Sequence, residues 1–167
     1  MFKKLFGKKV EEPAAVKTGQ ILAIQNGKVV PIEEVPDPVF SQKMLGDGVA
    51  IIPEEGKIYS PVNGTIVSLI PSKHAYGIQA DEGAEVLIHI GLDTVALNGE
   101  GFKCCVEDGQ KVKTGDLLAE VDLAFVKEKG YNTITPILIT NMDDVRNVKM
   151  VTGDAKAGET AVITYEK

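Results

Sequence analysis

The chain has 167 residues, of which 44% are hydrophobic and 25% are charged, a balance typical of a globular domain with a substantial core. Its formal net charge of −6 argues against a nucleic-acid partner, because phosphate binding requires a basic surface. The two cysteines, Cys104 and Cys105, are adjacent and lack a CxxC spacing, which indicates a reducing compartment and no structural zinc. We find neither a signal-peptide core nor a run of about 20 apolar residues, and we therefore expect a cytoplasmic protein.

Residues 1–17 differ in composition from the rest and predict a basic tail followed by a linker. Phe2, Leu5 and Phe6 follow helical i, i+3, i+4 spacing among four lysines within residues 1–9. One interpretation is weak contact of residues 1–9 with the inner face of an anionic membrane, at about 1 kcal/mol per basic residue. The other is a frayed, solubilising tail. From residue 18 to residue 167 the pattern predicts a single β domain.

Two Asn-Gly turns predict β-hairpins near the start of this domain. Asn26-Gly27 separates strand-like residues 21–24 from 28–32, and Asn63-Gly64 separates residues 58–62 from 65–70. Both residue types tolerate the positive φ that two-residue hairpin turns need. Five residues between positions 19 and 30 recur 37 positions later, which favours an internal duplication of a hairpin unit.

The rest of the domain has the pattern of short strands separated by turns. Residues 41–45 predict at most one helical turn, residues 123–129 predict a short helix closed by Gly130, and Asn141 is a candidate cap for a helical stretch to residue 150. Further strands are predicted at residues 49–53, 102–106, 111–121, 135–140 and 160–165. We therefore predict an all-β fold, an antiparallel β-sandwich or barrel-like domain with one or two very short helices.

The chain has only two histidines, and we predict that both belong to one site. Apolar positions 86, 88 and 90 should face the core, while Leu87 and His89 face the opposite side. A hairpin through residues 81–83 returns the chain from His74 to His89. With a two-residue turn at 81–82, the numbers of paired residues sum to 163 and the two rings face each other directly. A three-residue turn with a left-handed Gly83 instead places the rings on opposite faces.

Three kinds of chemistry fit an imidazole pair with a hydroxyl and a carboxylate nearby. Ser72 is placed to orient the ring of His74, and Asp93 follows His89 by four residues. A metal site needs further ligands, and a hydrolase needs a nucleophile motif that the chain lacks. Phosphoryl carriage needs a neutral ring nitrogen and a second donor, and the absence of a nucleotide-binding glycine loop favours a protein as the phosphoryl donor.

Several short motifs surround the two histidines and occur together. They are Val-Pro-Asp-Pro-Val-Phe at 35–40, Gly-Asp-Gly at 46–48, Ser-Pro-Val-Asn-Gly-Thr at 60–65, Lys-His-Ala at 73–75, His-Ile-Gly-Leu-Asp-Thr-Val at 89–95, Gly-Glu-Gly-Phe at 99–102, Val-Lys-Thr-Gly-Asp at 112–116 and Thr-Pro at 135–136. Over residues 18–167 this set resembles the glucose-type enzyme IIA (EIIA type 1) of the bacterial phosphoenolpyruvate-dependent sugar phosphotransferase system.

The resemblance implies an antiparallel β-sandwich that acts as a phosphotransferase component. By this resemblance His89 accepts a phosphoryl group through Nε2 from the histidine-containing carrier HPr. It then passes the group to the cysteine of the IIB domain of a membrane sugar permease. His74 corresponds to the second histidine of the family, which stabilises the phosphate and is needed for onward transfer. Ser72 stands where the family has a hydroxyl that orients this second ring.

The resemblance also implies a docking surface around the histidines. An acidic rim would attract basic partners, and it consists of Asp37 and Asp93. An apolar collar would exclude water from the labile phosphoramidate. The collar consists of Val39, Phe40, Leu45, Ile70, Leu87 and Val95. The alternative for the collar is ordinary core packing, and for the two aspartates an ordinary solvated turn.

No cofactor is required by this resemblance. In some members zinc is shared by the two histidines, here His74 and His89, and a partner carboxylate. Some members also bind regulatory targets when unphosphorylated. The permease, not the IIA domain, selects the sugar.

Two other protein classes share parts of the pattern. Zinc peptidases on a related β framework use His-x-x-x-Asp, which His89 and Asp93 match, but they also need a His-x-His that is absent here. Biotinyl and lipoyl carrier domains resemble residues 109–120, but they present a modified lysine in a turn. Lys149-Met150 has the wrong order and position for that lysine. A zinc-dependent hydrolase and a carrier domain are thus the two alternatives to the relay, and each lacks a residue pattern that its class needs.

Overall fold

The computed structural model describes residues 18–167, so the predicted basic tail lies outside the described residues. Strands β1 to β7 are Thr18–Leu22, Gly27–Pro31, Asp47–Pro53, Lys57–Tyr59, Gly64–Leu69, Ala75–Ala80 and Glu85–His89. Strands β8 to β14 are Phe102–Cys104, Lys111–Val112, Leu117–Val121, Thr135–Ile139, Arg146–Met150, Gly153–Ala155 and Ala161–Glu166. The two α-helices are α1 (Pro38–Ser41) and α2 (Leu123–Glu128), and 3-10 turns cover Ile32–Glu34, Thr94–Leu97 and Met142–Asp144.

The strands form one large sheet and two small ones, and the strand pairs are antiparallel. The large sheet has eight strands in the order β13-β2-β3-β11-β7-β6-β5-β9. The small sheets have the orders β1-β14-β12 and β4-β10-β8. The main hydrophobic core contains residues of all three sheets, for example Ile88, Ile163 and Leu118. This arrangement confirms the predicted all-β, antiparallel, sandwich-like fold.

The central strand β11 is buried on both faces. Ile137 and Ile139 belong to the main core, whereas Leu138 belongs to a second, smaller cluster on the opposite face of the large sheet. A strand buried on both faces carries a continuous apolar run, which explains the Pro-Ile-Leu-Ile sequence here. Phe40 and Leu92 belong to the second cluster, and Leu87 packs against it.

Neither Asn-Gly segment forms the predicted hairpin. β1 pairs with β14 instead of β2, and β4 pairs with β10 instead of β5. In both cases the Asn-Gly segment takes the chain from a small sheet into the large one. None of Asn26, Gly27, Asn63 and Gly64 has the positive φ that the predicted hairpin turn requires, so the turn type was wrong as well as the pairing.

The predicted duplication nevertheless has a clear structural counterpart. Leu22 N donates to Pro61 O at 3.0 Å, and Tyr59 N donates to Ile24 O at 2.8 Å. Leu22 and Tyr59 are equivalent positions 37 residues apart, and so are Ile24 and Pro61. Each copy therefore donates the same hydrogen bond to the other. The turn asparagines also behave alike, because the side-chain oxygens of Asn26 and Asn63 each accept a backbone N–H at 2.9 Å. The repeated unit is therefore a crossing between sheets.

The helix predictions are partly confirmed. α2 lies within the predicted 123–129 segment and is followed by Gly130 with φ of +92°. α1 is the single helical turn expected in its region, but it begins at Pro38, three residues early. The helical stretch from Asn141 to residue 150 is wrong: only Met142–Asp144 is helical, and the remainder forms β12. Across residues 18–167, the structure contains no helix whose length and apolarity would let it span a bilayer.

Candidate functional site

The strand that carries His89 follows the predicted alternation. Val86 and Ile88 lie in the main core, and Leu87 packs against the second cluster on the other face. His89 ends β7 and is half-buried, whereas His74 directly precedes β6 and is 5% exposed. An imidazole at the end of a strand that is pinned on both faces has little freedom to move, which suits a reacting group.

Of the two registers left open by the sequence, the one that would place the two histidines opposite each other is not the one found. His89 pairs with Ala75, and Val86 pairs with Ile78, so paired positions sum to 164. The connecting turn has three residues and ends at Gly83 with φ of +117°, which corresponds to the alternative considered above. The consequence expected from that alternative is wrong, because the rings are together: their centroids are 4.8 Å apart with an interplanar angle of 81°.

The rings meet because the backbone leaves the regular β6–β7 ladder beside both histidines. The regular strands stop at Ala75 and His89, and left-handed residues lie just outside them, Lys73 with φ of +64° and Gly91 with φ of +75°. Gly91 must be glycine on steric grounds too, since a Cβ there would lie 2.9 Å from the carbonyl oxygen of Asn132. Strict alternation therefore no longer determines where these side chains lie.

Hydrogen bonding identifies the tautomer of His89. Its Nδ1 lies 2.8 Å from the carbonyl oxygen of Gly91. A carbonyl oxygen can only accept, so Nδ1 carries the proton and Nε2 of the neutral ring has a free lone pair. The turn that supplies this carbonyl is itself held by Thr94, whose buried hydroxyl donates to the carbonyl oxygen of Ile90. Sequence reasoning missed both supporting contacts, although Gly91 and Thr94 belong to a motif that it singled out.

Ser72 contacts His74 as predicted. The distance from Ser72 Oγ to His74 Nδ1 is 2.7 Å. A hydroxyl can donate or accept in this position. When it donates to Nδ1, the proton of the neutral His74 ring lies on Nε2, and that ring then offers a hydrogen-bond donor next to His89.

Both imidazoles are held in their neutral form. Burial lowers the pKa of His74 to about 4, and the neighbouring His89 ring contributes in the same direction. Burial also lowers the pKa of His89, while the Gly91 carbonyl and the charges of Asp37 and Asp93 oppose that shift. At neutral pH the site therefore presents unprotonated nitrogen, as a nucleophile requires.

The depressed pKa of His74 predicts a pH-dependent stability. Because its folded value of about 4 lies below the ordinary 6.5, the unfolded chain binds more protons in this interval. The free energy of unfolding should therefore fall as the pH is lowered from 6.5 to 4, by at most about 1.4 kcal/mol per pH unit for this group. Urea unfolding of the protein and of His74→Gln across this range measures the effect. The variant should show the shallower slope, and equal slopes would contradict the assignment.

The apolar collar divides into exposed and buried members. Its exposed members are Val39, Leu45, Ile70 and Val95 at 38%, 46%, 39% and 55%. Phe40 is buried, and its ring centroid lies 5.0 Å from that of His89. Phe40 and Leu87 thus serve the second cluster, as the core-packing alternative expected. Met44, which is adjacent to Leu45, is also exposed, at 66%.

The two aspartates of the acidic rim have different local roles. Asp37 is the N-cap of α1, because its carboxylate accepts the backbone N–H of Val39 at 3.0 Å. Asp93 is exposed, has φ of +60° and makes no side-chain capping bond. Both carboxylates lie close enough to His89 to act on its pKa. Asp37 is therefore more than a solvated turn residue, and Asp93 holds a free charge beside the site.

The histidine pair alone is not a complete metal site. Zinc usually takes four ligands, and two imidazoles supply only two of them. The described part of the chain contains no group of three or more histidine, cysteine or acidic side chains that could hold an ion. Cys104 and Cys105 are free and half-buried.

Comparison with known proteins agrees with this architecture. The family model described as phosphoenolpyruvate-dependent sugar phosphotransferase system, EIIA 1, matches residues 19–145. A glucose-specific EIIA component of Halalkalibacterium halodurans is 50% identical over 170 residues, covering 99% of this chain and 98% of that protein. One from Bacillus anthracis is 51% identical over 166 residues, covering 98% and 97%. A glucose-specific EIICBA component of Staphylococcus saprophyticus is 49% identical over 138 residues, 80% of this chain and 20% of that protein.

A solved structure gives the same result. Glucose permease IIA from Mycoplasma capricolum superposes with a TM-score of 0.79 at 39% identity, covering 88% of this chain and 96% of that one. The fold and the family match define a phosphoryl-relay component of sugar uptake. The chain belongs to the EIIA 1 family of the phosphoenolpyruvate-dependent sugar phosphotransferase system. The family match replaces the peptidase and carrier-domain interpretations. Lys149 also lies inside β12, and not in a turn as the modified lysine of a carrier domain would.

Proposed function

We propose that Nε2 of His89 is the atom that carries the phosphoryl group in this relay. The observation that supports this proposal is the contact between His89 Nδ1 and the Gly91 carbonyl, which leaves the lone pair on Nε2. HPr would be the phosphoryl donor, and the cysteine of a permease IIB domain would be the acceptor. The curated relatives named glucose-specific favour a glucose-type permease, and one of them carries its A component in a single EIICBA chain.

The exchange can be written with every bond accounted for. The Nε2 lone pair of His89 attacks the phosphorus of phospho-HPr, the P–N bond to the HPr histidine breaks, and a new P–N bond forms. The proton on Nδ1 stays in place, so the phosphorylated ring is cationic and the Gly91 carbonyl stabilises it. When the IIB thiolate attacks, the P–N bond breaks and the ring leaves as a neutral imidazole. A ring that is neutral before and after needs no proton transfer at this nitrogen.

His74 would assist the second half of this exchange. The centroids of the His74 and His89 rings are 4.8 Å apart, and the contact of Ser72 with His74 Nδ1 allows His74 Nε2 to carry the proton. An Nε2–H donor beside the transferring group would stabilise charge on the phosphoryl oxygens as the P–N bond breaks. Ser72 would act through His74 by orienting its ring.

The surface around the site suits a basic protein partner. Val39, Leu45, Ile70 and Val95 are exposed apolar residues close in sequence to the elements that form the site. The charges of Asp37 and Asp93 lie beside His89, where they would steer a basic partner during encounter. The apolar members would exclude water from the phosphorylated ring once a partner is bound. Phe40 and Leu87 would shape this surface from below, and unphosphorylated protein would offer the same face to regulatory targets.

We also propose that the relay needs no cofactor. Zinc would bind to His74 and His89 only where a partner supplies a further carboxylate, because the pair provides two of four ligands. The relay would operate in the cytoplasm, where phosphoenolpyruvate and HPr are available, with residues 1–9 as a weak contact to the inner membrane face.

A phosphotransfer assay tests the proposed function. Incubation with phosphoenolpyruvate, enzyme I and HPr should produce one acid-labile, base-stable phosphohistidine at His89, with a phosphorus NMR shift characteristic of the Nε2 isomer. Adding IIB domains for glucose, N-acetylglucosamine, maltose and β-glucosides should then discharge it, fastest with the cognate domain. A chelator should change neither rate. Phosphate on His74, phosphate on Nδ1, or stable label in the presence of every IIB domain would contradict the proposal.

A further inference from the structure

One residue beside the site has an unfavourable backbone conformation that the described chemistry does not use. Among residues 18–167, five non-glycine residues have positive φ, and Lys73 is the one directly before His74. Its φ of +64° is left-handed, a conformation that costs an L-residue free energy and that is favoured by glycine, asparagine and aspartate. Lysine at such a position, next to a functional residue, is a reason to ask what the conformation achieves.

The left-handed residue ends a tight turn and determines how His74 approaches the site. Lys73 N donates to the carbonyl oxygen of Ile70 at 2.8 Å, which closes the turn. One residue later, the carbonyl oxygen of His74 accepts the N–H of Ile90 at 2.6 Å. The backbone of position 74 therefore lies opposite Ile90, whose side chain is buried in the main core.

A regular extension of β6 would direct position 74 toward the core. Residues Tyr76 and Ile78 share its parity and are both buried there. In the structure the His74 ring instead lies against His89 and reaches Ser72. The chain must therefore depart from extended geometry immediately before His74, and Lys73 is where it does so.

Within the described residues, the charge of Lys73 forms no salt bridge that would hold this geometry. The salt bridges among residues 18–167 involve Lys43 and Arg146 as cations, and Lys73 takes part in none of them. Its side chain is exposed. The feature that the site uses is thus the backbone conformation at position 73.

We infer that Lys73 is a positioning residue, whose left-handed backbone turns the His74 ring away from the core and onto His89. The inference rests on the proposed function insofar as it concerns phosphoryl transfer. It predicts that residues that accept the left-handed region can replace Lys73, whereas β-branched residues cannot.

The test compares three substitutions at one position. Lys73→Gly and Lys73→Asn both remove the charge and keep the left-handed conformation accessible, so transfer to IIB should stay within about threefold of wild type. Lys73→Val removes the charge and disfavours the conformation, so transfer from phosphorylated protein to IIB should slow on the order of 10-fold or more. Loading of His89 from HPr should change less. If Lys73→Val does not fold, Lys73→Ala replaces it in the comparison.

A spectroscopic readout separates positioning from general stability. The nuclear Overhauser contact between the His74 and His89 rings should persist in the glycine and asparagine variants and weaken in the valine variant. Asn147→Val is the matched control, because Asn147 also has positive φ, of +51°, but lies in β12 of a small sheet. This variant should lose thermal stability while keeping both the ring contact and the transfer rate.

Two results would overturn the inference. One is normal onward transfer and an intact ring contact in Lys73→Val. The other is an equal loss in Lys73→Asn, which would assign the effect to the charge. The ring contact is measured without any relay protein, so it tests the positioning role even if His89 proves not to be the phosphorylated residue.

Discussion

Replacing His89 by glutamine should reduce phosphoryl acceptance from HPr on the order of 10³-fold or more, because the substitution removes the attacking nitrogen. Glutamine keeps a polar side chain of similar reach beside Phe40, and His89 is only half-buried at the end of β7, so the fold should persist. The measurement is the initial rate of incorporation of labelled phosphate from phosphoenolpyruvate with catalytic enzyme I and HPr. Circular dichroism of the variant confirms that the domain is intact.

The matched control for this experiment is His74→Gln, which changes the other imidazole in the same way. It should accept phosphate at a rate within a few-fold of wild type, since the nucleophile is unchanged. Substantial label on His89→Gln would show that another residue carries the phosphate. Loss of label from both variants would show that His74 is needed for loading as well as for delivery.

Replacing His74 by alanine should spare loading and impair delivery. His89 keeps its Gly91 contact and its free Nε2, whereas the departing phosphoryl group loses a hydrogen-bond donor. Loss of one such donor costs roughly 10²-fold in comparable sites, and we expect a decrease of that order in transfer to IIB. Rapid-quench measurement of label leaving the phosphorylated variant, at saturating IIB, gives the rate directly.

The control for this second experiment is again His74→Gln. A glutamine amide N–H can occupy the position of the imidazole Nε2–H, so this variant should recover part of the lost rate. Delivery at the wild-type rate by His74→Ala would remove His74 from the mechanism. Equal defects in loading and delivery would indicate a loss of structure instead of a lost donor.

Part of the candidate site could be predicted from local sequence patterns. Alternation in β7 placed Ile88 in the core and Leu87 on the opposite face, because a strand pinned between two apolar clusters has only one acceptable parity. The contact of Ser72 with His74 was also predictable, since the two residues are neighbours in the chain. Both predictions rest on local backbone geometry alone.

The relation between the two histidines was not predictable in the same way. Two registers were compatible with the sequence, and the one found would separate the rings in a regular ladder. They meet because Lys73 and Gly91 are left-handed at the end of the ladder, and a lysine carries no signal for that conformation. The contact of the Gly91 carbonyl with His89 was missed as well.

The residue types of the relay, the all-β class and the duplicated Asn-Gly segments were determined by the sequence, because they depend on spacing and on the chemistry of individual side chains. Strand partners, the departure from register at His74 and the protonation of His89 on Nδ1 became visible only in the tertiary structure. The physical reason is that strand pairs join distant segments, and that the turns beside the two rings are held in part by contacts with distant residues. β1 pairs with β14 across nearly the whole domain, and the turn that orients His89 is braced where Leu92 N donates to the carbonyl oxygen of Asn132.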